Sequence, residues 1–115
     1  MTTEARLRRM LAPLGAVEKK MFGGVCFMIR GNMLAGTSKR GLLVRTGKAA
    51  HADALKRPGA ATFDMRGKPI AGYVIVDDAA LAGDAALRGW IDLALAHAAT
   101  LPAKAEGKPA KPRRR

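Results

Sequence analysis

Short apolar runs separated by turns of three or four residues constrain the fold of this chain more than any other feature. Three such runs follow one another at 25–29, 33–37 and 42–45. Glycine and asparagine, which tolerate positive φ, lie between the first two runs, and a second glycine-containing turn precedes the third. Because turns this short join only antiparallel neighbours, the pattern predicts a meander of hairpins.

The remaining apolar patterns predict helices and one further hairpin. Apolar residues at helical spacing predict an N-terminal helix with one apolar face: Leu7, Met10, Leu11 and Leu14. Alanine-rich residues 48–57 predict a middle helix, and 62–65 with 72–76 predict a second hairpin. A last helix begins at Asp84, which is expected to cap it, and Asp84 and Asp92 are expected to pair with Arg88. The prediction is an α+β domain whose antiparallel sheet has about five or six strands and carries all three helices.

Charge divides the chain into parts. Its 115 residues have a net charge of +12, of which residues 102–115 contribute +5. Residues 1–76 contribute +10, whereas 77–101 contribute −3. Such asymmetry suits proteins that bind nucleic acid or another anionic partner, but for the folded part a solubilising surface is the favoured interpretation.

Residues 102–115 contain no large apolar side chain and are predicted to be a disordered tail after a folded domain at 1–101. The tail separates its cations with prolines, which keep the chain extended. Six side chains are candidates for nonspecific contact with nucleic acid: Lys104, Lys108, Lys111, Arg113, Arg114 and Arg115. A solubility tail that binds nothing is the alternative.

Lys19-Lys20-Met21-Phe22-Gly23-Gly24 is the most specific local motif. Paired glycines in a strand pattern indicate a bulge, or a close approach of another backbone or a ligand. The structural interpretation is a bend with Phe22 in the core, and the functional one is a partner-binding site at Lys19, Lys20, Phe22, Gly23 and Gly24. A strand follows the glycines, which argues against a nucleotide-binding loop, since such loops open a helix.

No motif indicates catalysis, a metal or a cofactor. Cys26 is the only cysteine and lies in an apolar run, where an inert core residue is expected. An enzyme would need Cys26, His51 or His97 to converge in one pocket. Asp77 and Asp78 are expected in a turn rather than in a carboxylate dyad. The single cysteine and the lack of a long apolar run or signal sequence predict a cytoplasmic protein without disulfides.

Several landmarks together resemble the N-terminal domain of the TfoX/Sxy family of competence regulators, over about residues 3–101. They are Met21-Phe22-Gly23-Gly24, the Gly31 turn, Leu43-Val44-Arg45, Phe63, Tyr73, and Trp90 with Ala94 and Ala98. The resemblance implies an α+β domain associated with regulation of DNA uptake or transcription through other macromolecules. Family regulators carry a second, C-terminal domain, where this sequence has 14 residues. Leu34, Leu43 and Asp77 also depart from the usual family residues.

We therefore expect a non-enzymatic regulatory binding module whose partner is protein or nucleic acid. Lys19–Gly24 and Arg45 would form its specific surface, and the tail a nonspecific nucleic-acid anchor. The alternative is a protein-interaction or chaperone-like homodimeric scaffold, with an apolar surface near Met28 or Trp90.

Overall fold

The computed structural model describes residues 2–21, 24–65 and 67–102. The helices are α1 (Thr3–Leu11), α2 (Lys48–Ala54) and α3 (Asp84–Ala98). The strands are β1 (Val17–Met21), β2 (Gly24–Ile29), β3 (Asn32–Ser38), β4 (Gly41–Arg45), β5 (Ala60–Met65) and β6 (Lys68–Val76). Short 3₁₀ turns lie at Ala12–Leu14 and Asp78–Leu81.

The six strands of the described residues form one antiparallel sheet in the order β1-β2-β3-β4-β6-β5. The two-residue turn between β2 and β3 has φ values of 51° at Arg30 and 79° at Gly31, which suit the right-handed twist of the flanking strands. The predicted meander and second hairpin are confirmed. Since β6 rather than β5 pairs with β4, the second hairpin extends the sheet and leaves β5 at its edge.

The three described helices pack on one face of the sheet. Every buried apolar residue that they contribute belongs to the main core, including Leu7 of α1, Ala54 of α2 and Trp90 of α3. Alternate strand residues such as Val44 and Val74 point into this core. Thr2 caps α1 by accepting a hydrogen bond from the backbone N–H of Ala5 at 3.1 Å. The predicted α+β architecture is thus confirmed.

The other face of the sheet, here called the open face, has a separate apolar cluster. Leu43, Phe63 and Ile75 form it, with Met33, Ile70 and Tyr73 packed around them. None of the buried helix residues joins this cluster. The guanidinium of Arg40 lies 5.8 Å from the centre of the Phe63 ring, and that of Arg45 lies 5.8 Å from the centre of the Tyr73 ring. The open face therefore combines apolar residues with cations over aromatic rings.

Three local predictions were wrong. Gly83, not Asp84, is the N-cap of α3, and α3 has no side-chain capping bond. Asp84 instead pairs with Arg6 of α1 at 2.9 Å, across 78 positions of sequence, rather than with Arg88. Trp90 offers no apolar surface: it is 3% exposed, and Arg57 covers its ring at 4.9 Å.

Candidate functional site

The residues of the basic glycine motif separate onto different surfaces. Lys19 and Lys20 are exposed neighbours on the edge strand β1, so they point to opposite faces. Lys19 is the cross-strand partner of Cys26, which continues through Gly36 to Leu43 on the neighbouring strands. Lys19 therefore lies on the same face of the sheet as Leu43, which is the open face. Phe22 and Gly23 lie outside the described residues, as do the six tail cations at 104–115. The partner-binding role of these residues stays a prediction.

Gly24 has a structural explanation. A Cβ at this position would collide with the backbone carbonyl oxygen of Thr37 in β3. The Thr37 hydroxyl also accepts a hydrogen bond from the N–H of Val25 at 3.2 Å. The predicted close approach of another backbone is confirmed at Gly24, and this approach alone requires the glycine.

Cys26 is fully buried and free, and burial raises the pKa of its thiol. Its sulfur occupies the space that a side chain at Gly36 would need. His51 lies on α2, with its Nε2 buried and without a hydrogen-bond partner among the described residues. His97 lies near the end of α3, in a cleft that neither Cys26 nor His51 lines. No group of three or more potential metal-binding side chains occurs in the described part of the chain.

Arg45, one of the residues predicted to form a partner-binding surface, lines a cleft. The cleft has a volume of about 360 Å³, within the rough range for small-ligand sites. It lies where β4 ends, α2 begins, β6 passes and α3 ends. Its lining residues are Arg45, Gly47, Lys48, Ala71, Gly72, Tyr73, His97 and Leu101. We call it the Arg45–His97 cleft.

Two glycines with positive φ build the wall of the cleft. Gly47 has φ 83° and Gly72 has φ 89°. The carbonyl oxygen of Gly72 accepts hydrogen bonds from the N–H groups of Thr46 and Gly47 at 2.8 and 3.1 Å, and from the buried Thr46 hydroxyl at 3.1 Å. A Cβ on Gly47 would collide with the imidazole of His97. The glycine therefore allows the ring to lie directly against the backbone.

The charge in the Arg45–His97 cleft is positive and uncompensated. Its lining includes Arg45, Lys48 and His97 but no carboxylate. None of the ion pairs among the described residues involves these three side chains. Burial, and then the charge of Arg45, lower the pKa of His97 below its ordinary value of 6.5. Chemically, the cleft is suited to accepting an anion.

The basic tail begins at the rim of this cleft. Leu101 lines the cleft, and Pro102 is the last described residue. The buried Asn32 side chain donates a hydrogen bond through Nδ2 to the Pro102 carbonyl at 2.9 Å, and Arg30 donates to the Ala98 carbonyl at 2.9 Å. These bonds hold residues 98–102 against the turn between β2 and β3.

Most of the cleft was not predicted from the sequence. The sequence did not place Lys48, Tyr73 and His97 in one site. A signal for the cleft was present in Gly72, a glycine inside an apolar strand pattern, and in Gly47, just before a helix. Either glycine indicates a close approach, but neither identifies the group that approaches.

The fold and the cleft define a class: a two-layer α+β domain with a charged cleft and no assembled catalytic group among its lining residues. The family model of the TfoX N-terminal domain matches residues 9–98. The chain therefore belongs to the TfoX N-terminal domain family, as its landmarks predicted. Neither a curated protein nor a solved structure matches it. None of the helices in the described ranges is long and apolar enough to cross a membrane.

Proposed function

We propose that this protein is a non-enzymatic regulatory module that binds nucleic acid through charge, in the manner of a competence or transcription regulator acting in the cytoplasm. The observation that carries the proposal is the Arg45–His97 cleft, whose Arg45 and Lys48 have no carboxylate partner among the described residues and which lies next to Pro102, where the basic tail begins. Membership of the TfoX N-terminal domain family supports a regulatory role. The net charge of +12 supports a polyanionic partner.

The tail and the cleft would contribute to binding in different ways. Cations separated by prolines release counterions from phosphates without reading sequence. A cleft with fixed side chains adds contacts of defined geometry. We therefore expect the tail to supply most of the salt-dependent affinity and the cleft to orient the strand.

The test is fluorescence anisotropy of labelled single-stranded and duplex DNA with the full-length protein, over a range of salt concentrations. In the test variant all six basic residues at 104–115 become glutamine. The control is Arg9→Gln/Arg88→Gln, since both residues are exposed and form none of the ion pairs of the described residues. Each lost phosphate contact should reduce the slope of log K against log salt by about 0.7 for a single strand, so six should reduce it by roughly 4.

The proposal fails if the unmodified protein binds neither DNA at 50 mM salt. The role of the tail fails if neutralising it leaves the slope unchanged. A slope that falls in the Arg9/Arg88 control in proportion to the charge removed, by about a third as much as in the six-residue variant, would show that total charge alone matters.

The alternative scaffold role stays a prediction with less structural support. Among large apolar side chains of the described residues, only Leu14 and Val17 are exposed, at 49% and 36%. Met28 is half-buried and Trp90 is covered by Arg57. Sedimentation of the same samples without DNA tests this alternative, since a stable homodimer would favour it.

A further inference from the structure

We infer that the Arg45–His97 cleft binds a single phosphate group, held by the side chains of Arg45, Lys48 and His97. This inference deepens the proposed function, which supplies nucleic acid as the expected source of the phosphate. The phosphate-binding step itself can be measured with small molecules, independently of any nucleic acid. A free nucleotide or inorganic phosphate is the other possible source, and the experiment below distinguishes them.

Uncompensated charge is the first argument. Arg45 is half-buried at the end of β4, yet its guanidinium contacts the Tyr73 ring rather than a carboxylate. By contrast, the half-buried Arg6 elsewhere in the molecule has a carboxylate partner at 2.9 Å. A cationic concavity with partly excluded water raises the local concentration of anions. Arginine and lysine are the residues that most often bind phosphate oxygens in proteins.

The backbone determines which groups can donate to such a phosphate. The N–H of Gly47 already donates to the carbonyl of Gly72 and is not available. The α2 helix has only seven residues, too few to offer a helix-terminal site. The donors on which the inference rests are therefore the side chains of Arg45, Lys48 and His97, and each can be tested by substitution. Tyr73 flanks Arg45 and could pack against a base or sugar attached to the phosphate.

His97 makes the binding sensitive to pH. The groups that face it are Arg45 from β4, Lys48 from α2 and Tyr73 from β6, with no carboxylate among the lining residues, and Arg30 lies nearby, bonded to the carbonyl of Ala98. Burial and Arg45 lower the pKa of the unliganded imidazole. A phosphate beside it would reverse the local potential and raise that pKa, so binding would take up a proton. An internal phosphodiester, whose single negative charge is constant in this range, should therefore bind more tightly as the pH falls from 7.5 to 6.

The experiment is ¹H–¹⁵N and imidazole NMR of the full-length protein at constant ionic strength. It is titrated separately with inorganic phosphate, adenosine monophosphate, adenosine and sodium chloride. We expect saturable shifts at the amides of Gly47 and Gly72 and at the His97 ring with the two phosphate compounds only. Arg45→Gln and His97→Gln should each weaken binding, the first by roughly tenfold or more. The controls Arg88→Gln and His51→Gln, which lie outside the cleft, should bind as the unmodified protein does.

The source is then identified with oligothymidylates, with and without a 5′ phosphate. Weaker binding of both by Arg45→Gln assigns an internal phosphodiester to the cleft. Weaker binding of only the phosphorylated strand assigns a terminal phosphate. Loss of phosphate and nucleotide binding without any change for either strand assigns a free nucleotide or phosphate, and it leaves phosphate recognition intact while removing the nucleic-acid source.

Three results would overturn the inference. Chloride could produce the same shifts as phosphate, the phosphate shifts could lie only at residues 103–115, or both Arg45→Gln and His97→Gln could bind phosphate unchanged. Thermal melting of each variant establishes that it is folded, and the two substitutions lie on different elements, so one misfolded variant leaves the other informative. DNA binding with none of these phosphate shifts would support the proposed function and refute the phosphate site.

Discussion

Two clefts of this domain differ in size and in charge, and the smaller one is the better candidate site. The larger has a volume of about 490 Å³. It is lined by Thr2, Thr3, Glu4, Arg6, Thr37, Ser38, Gly41, Asp78, Leu81 and Ala82, and we call it the Arg6 cleft. Its charges have partners within the protein: Arg6 pairs with Asp84 at 2.9 Å, and Glu4 pairs with Arg8 at 3.0 Å. Asp78 accepts a hydrogen bond from the Thr3 hydroxyl at 3.3 Å.

The difference shows that volume alone does not indicate a binding site. A carboxylate of the protein competes with an anionic ligand for the same cation, so a paired arginine stabilises the fold and offers little to a partner. The Arg45–His97 cleft retains its positive charge because none of its lining residues is acidic. Arg8 differs from Arg45 in the same way, because it has a carboxylate partner. It donates to Glu18 at 2.7 Å and holds the pKa of that carboxyl below its usual range.

The largest expected effect is in the backbone of the Arg45–His97 cleft, at Gly47→Ala. Gly47 has φ 83° and ψ 156°, a region that is essentially restricted to glycine, and a Cβ there would also collide with His97. We expect the free energy of unfolding to fall by about 3 kcal/mol, from backbone strain and overpacking together. Urea denaturation measures it.

Gly15→Ala is the matched control for this substitution. Gly15 has nearly the same φ, 81°, but a Cβ would meet nothing within 4 Å. It should cost only about 1 kcal/mol. His97→Ala combined with Gly47→Ala should recover part of the loss by removing the ring. Equal losses at Gly15 and Gly47, with no recovery in the double variant, would mean that Gly47 does not support the imidazole.

Local signals explain why the strands and helices could be predicted from sequence. The turn at Arg30 and Gly31 and the alternation of Leu43 and Val44 each depend on residues close together in the chain. The partner of Asp84, by contrast, could not be predicted from residues close to it in the chain. Nearby Arg88 was its predicted partner, but the packing of α1 against the end of the Asp78–Leu81 turn brings Arg6 to it instead.

The Arg45–His97 cleft could not be predicted for the same reason. Its main residues come from β4, α2, β6 and α3, and they meet only because β6 pairs with β4, α2 packs on β6 and α3 packs on β4. A single basic residue at the end of a strand pattern indicated Arg45. No local pattern could place His97 against Gly47, because the two residues lie 50 positions apart in the sequence.

The arginines of the two clefts, Arg6 and Arg45, should differ in their contribution to stability. Arg6 has a side chain only 16% exposed and a carboxylate partner, so Arg6→Met should lower the free energy of unfolding by about 1 kcal/mol. Arg45→Met should change it by less than about 0.5 kcal/mol, since it loses only a contact with Tyr73. Urea denaturation at low and high salt measures both, and the Arg6 effect should shrink in high salt. Similar losses of unfolding free energy for the two variants would mean that the arginine with a carboxylate partner and the arginine without one do not differ in their contribution to stability.

The smallest expected effect is on the titration of His97. Burial and the charge of Arg45 hold the pKa of this imidazole below 6.5, so the folded protein binds the proton less readily than the unfolded chain. Its contribution to stability is therefore fully present above pH 6.5 and is lost as the pH falls through the lower pKa of the folded state.

NMR titration of the ring should show a higher pKa in Arg45→Gln and no change in Arg88→Gln, since Arg88 is exposed and does not line the cleft. In parallel, His97→Gln should reduce the decline of unfolding free energy below pH 6.5. An unchanged His97 titration in Arg45→Gln would mean that Arg45 does not act electrostatically on the imidazole. The Arg45–His97 cleft would then differ from the Arg6 cleft in its lining residues but not in the electrostatic coupling between them.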